Sequence, residues 1–331
     1  MSSPARRSNA PQLVVSFARQ LDGVAGLRCA KVEASVRAFL SDRFPVYALR
    51  VTLSVVLITY NEEANLARTL ESVRALVGDG RGEIIVVDSG STDRTVEIAE
   101  SFGAKVFVEA WKGYAGQKNS AMEKATGDWI LSLDADEEVS PDLAAEILQI
   151  LSHPPQVYKL KRRQADATVA PVLINGCWMR RKNYFLGRWI RHGGFWPDRK
   201  LRLCRRGSGK FKEASVHETM EVEEYRGGGV TVVSKKLRGP LLHHSYPTLS
   251  DYIEHMNRYS SLAAEMVVAD GRTGFSFINI AIRPWFTFFY NYFLRLGFLD
   301  GREGLLLHLY HAVYVSWKYA KAWELGQSRK S

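Results

Sequence analysis

From Leu53 onward the chain alternates short apolar, β-branched runs with segments of helical period, and few folds accommodate that alternation. The runs are Leu53–Ile58, Glu83–Asp88, Lys105–Val108 and Trp129–Asp134. Between the first two, Leu66, Leu70, Val73 and Val77 recur at the spacing of one helix face. Strand and helix in turn imply an α/β fold, a mostly parallel central sheet with helices on both faces. Ser140 before Pro141 supplies a cap and a first-turn proline for a further helix running to about Leu151. Pro154-Pro155 then closes a first half spanning residues 51–155.

Residues 156–248 alternate differently. Tyr158-Lys-Leu-Lys and Lys200-Leu-Arg-Leu have the pattern of strands with one wet face, separated by Gly-rich turns. Pro155 to Lys210 holds 15 Lys and Arg against two acids, Asp166 and Asp198. Most of the net charge of +10 therefore sits there, and it calls for an anionic partner: nucleic acid, a membrane surface or a phosphorylated substrate. Residues 249–331 are helical in pattern and rich in Trp, Phe and Tyr, whereas residues 1–50 carry no chemical motif. The three cysteines, Cys29, Cys177 and Cys204, form neither a C-x-x-C pair nor an even disulfide set. No secretory apolar core follows Arg6 and Arg7. Both features fit a reducing, cytoplasmic setting.

In an open parallel sheet, ligands bind outside the carboxyl ends of the strands. Three such ends carry polar groups: Thr59-Tyr60-Asn61-Glu62, Asp88-Ser89-Gly90-Ser91-Thr92-Asp93 and Asp134-Ala135-Asp136-Glu137-Glu138. An isolated D-x-D is commonly an acidic turn. After a hydrophobic strand, however, Asp134 and Asp136 can point the same way, and two close carboxylates are costly unless a cation joins them. Hard oxygen ligands select Mg2+ or Mn2+, which clamp a diphosphate. Asp88 can accept from a base amide or a ribose hydroxyl, or close an Asx turn with Ser89 and Gly90. Lys118 opens a helix where a cation can face phosphate.

These elements resemble the inverting nucleotide-sugar glycosyltransferases of glycosyltransferase family 2, which have the GT-A fold. The resemblance rests on Val55-Val-Leu-Ile-Thr-Tyr-Asn-Glu-Glu63, Ile85-Val-Val-Asp-Ser-Gly-Ser-Thr-Asp93, Gly116-Gln-Lys-Asn119 and Ala125-Thr-Gly-Asp-Trp-Ile-Leu-Ser-Leu-Asp-Ala-Asp136. It implies a UDP-sugar donor, with Thr59, Tyr60 and Glu62 lining the nucleoside site, Asp88 reading the uracil and Lys118 contacting the nucleotide. Asp134 and Asp136 would form the D-x-D, with Asp136 the direct ligand of the metal. Residues 51–155 then become the nucleotide-sugar half, and 156–248 the acceptor half. Downstream, Trp196-Pro-Asp-Arg-Lys-Leu-Arg-Leu203, Val216-His-Glu218, His243-His-Ser-Tyr246 and Gly297-Phe-Leu-Asp-Gly301 look like bacterial enzymes that add a sugar, commonly β-glucose, to the lipopolysaccharide core.

The resemblance implies a base near the acceptor hydroxyl, with Glu218 in first place and Asp198 as the alternative. Arginine pairing would lower either pKa and weaken it as a base. His244 is expected either to complete the metal shell or to be a hydrogen-bonded structural histidine. Transfer to a polyprenyl phosphate is a competing reaction of the same class. A non-catalytic nucleic-acid or membrane binder is the reading from another class, but it gives no reason for acids at three strand ends, so nucleic acid is not expected. G-x-G-x-x-G is absent after the first strand, which argues against a dehydrogenase.

Between Arg283 and Arg295 lie 11 uncharged residues, Pro284 to Leu294. As a helix they would reach about 16 Å, against a hydrocarbon core about 30 Å thick. They cannot span it, yet Trp285, Phe286, Phe288, Phe289, Tyr290, Tyr292 and Phe293 suit a helix lying in an anionic headgroup plane. The expected location is peripheral, on the cytoplasmic face of the bacterial inner membrane.

Overall fold

The computed structural model describes residues 51–152, 172–212, 218–227 and 230–328. The extension 1–50, Pro154-Pro155, the strand expected at Tyr158 and His217 lie outside the described residues.

The expected alternation is present. In chain order, β1 (Leu53–Thr59), α1 (Leu66–Val77), β2 (Gly82–Asp88), α2 (Thr95–Ser101), β3 (Lys105–Val108), α3 (Tyr114–Glu123) and β4 (Trp129–Asp134) follow one another. β1 pairs in parallel with β2 and with β4, and β2 pairs in parallel with β3. Odd residues of β1, such as Val55 and Leu57, face α1 and the later helix α4 (Pro141–Ser152). Val56 faces α3 through Ala115 and Ala121. A period of two thus buries both sides of β1, which is why its sequence is an unbroken apolar run. The Ser140 hydroxyl accepts from Leu143 N at 3.3 Å, the expected cap of α4.

The rest of the sheet is less parallel than its first half suggests. A short β5 (Glu137–Val139) closes the first half, and residues beyond 155 add β6 (Val172–Phe185), β7 (Arg188–Trp189), β8 (Asp198–Arg205), β9 (Gly209–Lys212), β10 (Thr219–Val222), β11 (Tyr225–Gly227) and β12 (Val230–Tyr246). β8 inserts antiparallel between β4 and β6, while β6 and β12 run parallel to each other. The main sheet therefore runs β11-β12-β6-β8-β4-β1-β2-β3, and both halves of the chain share it. This antiparallel insertion brings β8 side chains alongside the D-x-D.

The C-terminal section begins with α5 (Leu249–Ala269). Its N-terminus is closed by a reciprocal box in which Thr248 Oγ1 accepts from Asp251 N at 3.1 Å and Asp251 Oδ2 accepts from Thr248 N at 3.0 Å. A helical stretch follows, comprising a π turn at Ile278–Ile282, α6 (Arg283–Phe289) and a second π turn at Tyr290–Leu294. After a 3-10 turn at Gly297–Asp300, α7 (Gly301–Ser328) packs back on α5. Among the described residues no helix is long and apolar enough to cross a membrane.

Glu83 ties four segments together at the far end of the parallel strands. It accepts from Ser54 Oγ, Lys105 Nζ, Thr126 N and Thr126 Oγ1, each at 2.7 Å. Burial opposes its ionisation, but Lys105 and these hydroxyl and amide donors outweigh burial and bring its pKa from 4.5 to about 2. The folded value lies below the unfolded one, so the carboxylate stabilises the fold fully above about pH 4.5 and loses that contribution as pH falls toward 2. Glu83→Gln should lower the urea midpoint at pH 7. The gap between variant and wild type should narrow at pH 3, and a gap of equal size at both pH values would contradict this role.

Candidate active site

Outside the carboxyl ends of β1 and β2, two loops brace each other. Asn61 N donates to Ser91 Oγ at 2.8 Å, and Asn61 Oδ1 accepts from Thr92 N at 2.8 Å. Glu62 N donates to Thr95 Oγ1 at 2.7 Å, and Glu63 N to Asp93 Oδ2 at 3.1 Å. Asn61 sits at φ 53°, a left-handed conformation that asparagine tolerates better than most side chains. That turn carries the chain across from the end of β1 to the β2 loop.

Asp88 anchors the second loop from beneath and is wholly buried. Its Oδ1 accepts from Gly90 N at 2.9 Å and Ser91 N at 2.7 Å; its Oδ2 accepts from Thr59 Oγ1 at 2.8 Å and Ser91 Oγ at 2.5 Å. The Asx turn is thus realised. Asp88 and Thr59 hold the shape of the two loops, whereas Tyr60 stands at their surface, 60% exposed. Glu62 faces the D-x-D: burial and the charges of Asp136, Asp134 and Asp93 raise its pKa against the lowering bond from Asn65.

Asp134 of the D-x-D belongs to a row of alternating charges. Lys118 Nζ lies 2.5 Å from Glu218 Oε1 and 2.6 Å from Asp134 Oδ1. Asp134 Oδ2 in turn pairs with Arg202, whose Nη2 is 2.6 Å from Glu137 Oε1. Arg181 continues the row, 3.2 Å from Glu137 and 2.7 Å from Asp198. From Glu218 to Asp198 the signs alternate without a break, and Lys118, Arg202 and Glu137 are all buried. Burial opposes the charge on Asp134, but Arg202 and Lys118 outweigh it and hold its carboxyl well below the usual range.

The row separates the two candidate bases. Burial would raise the pKa of Asp198, but Arg181 and Lys200 lower it, which makes it a weak base. Glu218 lies at the other end, beside Lys118 and the D-x-D. The pairing expected of the arginines therefore falls on Asp198, while Glu218 is paired with a lysine.

The histidine beside the D-x-D is His243, one residue before the one expected. Its Nε2 lies 3.2 Å from Asp136 Oδ2. His244 instead bonds Glu138 Oε2 through Nε2 at 3.0 Å and stacks on Tyr184 with ring centroids 5.1 Å apart. Side chains alternate along β12, so neighbouring histidines point to opposite sides, and only one of the two can meet Asp136. His244 is the hydrogen-bonded structural histidine. Burial opposes ionisation of Asp136, but the charge and hydrogen bond of His243 outweigh it and lower the pKa.

Asp136 and His243 suit a divalent ion by the chemistry of their donors. His243 Nδ1 lies 2.7 Å from Asn183 Oδ1 and 2.5 Å from Ser245 Oγ, so the ring is held from its far side with Nε2 toward Asp136. Asn183 is oriented in turn by donating to Asp198 Oδ2 at 3.3 Å. Among the described residues no group of three His, Cys, Asp or Glu side chains forms a closed metal cage. Two protein ligands with open positions suit an ion that is shared with substrate phosphates.

Sequence reasoning missed Arg202, Arg181 and Glu137 as members of the site. The pattern Lys200-Leu-Arg-Leu puts Arg202 on a wet face, and only the antiparallel placement of β8 buries it against Asp134.

Comparison with known proteins was consistent in kind. The model of a family described as glycosyl transferase family 2 matches residues 54–207. An uncharacterized glycosyltransferase of Rickettsia typhi is 32% identical over 286 residues, covering 83% of this chain and 87% of that protein. The lipopolysaccharide core biosynthesis glycosyltransferase LpsC of Rhizobium meliloti is 30% identical over 291 residues, 83% of this chain and 93% of its own. Among solved structures, a mannosyltransferase from Pyrobaculum calidifontis, in complex with GDP-Man and Mn2+, aligns at 16% identity with a TM-score of 0.41, over 97% of this chain and 96% of that one.

Removing one cation from the row leaves buried carboxylates uncompensated. Arg202→Ala should cost about 3–5 kcal/mol, because Asp134 and Glu137 both lose their shared partner. Urea denaturation at pH 7 measures this, and a loss below about 1 kcal/mol, the range of a solvated surface pair, would refute it.

Proposed function

The chain belongs to glycosyltransferase family 2, and on that premise we propose that it transfers a hexose, with glucose the first choice, from a UDP-sugar to a lipopolysaccharide core or related lipid-linked glycan, with inversion. The observation that carries this reading is the division of labour in the D-x-D: Asp134 is engaged by Lys118 and Arg202, while Asp136 faces His243 at 3.2 Å. Asp136 and His243 would hold Mg2+ or Mn2+, which when bound neutralises the charge that develops on a departing diphosphate. The lipopolysaccharide acceptor is supported by the name of the LpsC relative.

The chain's own groups account for the rest of the proposed chemistry. The braced Asn61 and Ser91 loops shape the nucleoside end, and Tyr60 offers it an exposed ring. Glu218 takes the proton of the acceptor hydroxyl as that oxygen bonds to the anomeric carbon, and the bond to the diphosphate breaks with its electron pair going to the phosphate oxygen. Lys118, 2.5 Å from Glu218, holds that carboxylate in place. Asp198 acts as a positioning residue, orienting Asn183 and through it the His243 ring.

Purified protein assayed for UDP release from UDP-glucose should require Mn2+ or Mg2+. Asp136→Ala should reduce the rate by about 10²-fold or more. Unimpaired turnover by Asp136→Ala would overturn the reading.

The two histidines can be told apart in the same assay. His243→Ala should raise the Mn2+ concentration for half-maximal rate about tenfold or more, with His244→Ala close to wild type. The reverse order would show that the assignment of the ligand is wrong.

A further inference from the structure

The helical stretch from the first π turn to Leu294 leaves one apolar side uncovered. Ile278, Ile282, Trp285, Phe286, Phe289 and Phe293 are all exposed, with Trp285 at 69%, Phe286 at 59% and Ile282 at 53%. Their spacing of three and four places them on one helix face. The rings extend each other into a continuous surface, since Trp285 stacks near Phe289 at 5.8 Å and Phe289 lies 5.2 Å from Phe293. Water is a poor cover for a patch of this kind.

Charge narrows the choice of what covers it. From Gly271 to Leu299 there are 29 residues with no Asp or Glu, and Arg272, Arg283 and Arg295 punctuate them. Arg272 is paired with Asp270, which leaves Arg283 and Arg295 as the cations beside the strip, and that charge complements an anionic, apolar-backed surface, as an acidic lipid bilayer is. The stretch is too short to cross one. A second copy of the chain would bring like charges onto this face.

The strip is also fastened to the acceptor side of the crevice. Asp300, buried at the start of α7, accepts from His192 N at 2.8 Å, His192 Nδ1 at 2.9 Å and Arg191 N at 3.1 Å. Gly193 N donates to Arg295 O at 2.9 Å. The held loop runs from Trp189 to Trp196, whose rings meet edge to face at 5.2 Å. Cations lie against it: Lys182 Nζ is 4.3 Å and the Arg191 guanidinium 4.8 Å from the Trp189 ring centroid. The same loop leads directly into Asp198 and β8.

We propose that this aromatic strip lies in the headgroup plane of an anionic bilayer and that the Asp300 clamp keeps the Trp189–Trp196 loop, and with it the acceptor end of the crevice, beside the lipid surface. The acceptor end is so named on the glycosyltransferase reading, whereas the docking surface stands on its own residues. Membrane docking then acts on access to a lipid-linked acceptor and leaves chemistry on the donor untouched.

Vesicle flotation of the full chain tests this, with phosphatidylcholine vesicles that contain or lack phosphatidylglycerol. Binding should need the anionic lipid and weaken at high salt. The double variant Trp285→Glu/Phe286→Glu, altered at two exposed positions, should reduce the bound fraction about tenfold or more. UDP release from UDP-glucose without vesicles should match wild type in that variant, which separates this proposal from the glycosyltransferase reading. Asp300→Asn should retain vesicle binding while losing transfer to a lipid-linked acceptor more than UDP release. No binding to acidic vesicles, binding unchanged by the double variant, or a wild-type dimer that the double variant dissolves would each overturn the proposal.

Discussion

Seven side chains of alternating charge, from Glu218 through Lys118, Asp134, Arg202, Glu137 and Arg181 to Asp198, set the terms for everything around them. Removing an ion from water costs several kcal/mol, and a buried pair offsets that only with good geometry on both sides. Each interior member of this row touches two opposite charges, so none is left with half its field unanswered. The consequence for function is a separation of roles within the D-x-D. Asp134 belongs to the protein's own cations, and Asp136 is left beside His243 at the mouth of the crevice.

Sheet geometry makes the row possible. Lys118 comes from α3, Asp134 from the end of β4, Arg202 from β8, Arg181 from β6 and Glu137 from β5, and one sheet brings them together. β8 runs antiparallel between β4 and β6, so the beginning of β8 meets the end of β6 and Arg181 sits directly opposite Asp198. The parallel half supplies Asp134 and Lys118, the inserted β8 supplies Arg202 and Asp198, and β6 supplies Arg181.

Much of this was legible in the sequence, and the remainder was hidden for physical reasons. The strands, their polar ends and the cap at Ser140 are local, set by period and by side-chain chemistry within a few residues. Asp134 and Asp136 stood out because they follow an apolar strand. Arg202 did not, since a strand arginine with one wet face is ordinary until the opposing strand is known. The exchange of His243 for His244 has the same origin: which of two adjacent strand residues faces inward depends on register, and β12 carries irregularities at Val233, Lys236 and His243. The family resemblance anticipated a C-terminal histidine without fixing its parity. Asp88 offered two roles from its D-S-G context, and the structure places four chain donors on it.

We propose that Asp136 and His243, with Asp134 withheld by Lys118 and Arg202, hold the cation of a nucleotide-sugar site. Anomalous diffraction from crystals grown with Mn2+ and UDP measures this directly. One manganese peak is expected within coordination distance of the Asp136 carboxylate and His243 Nε2, with Arg202 still paired to Asp134. A peak bound by Asp134 with Arg202 displaced, or by His244, or UDP bound with no manganese near Asp136, would contradict it.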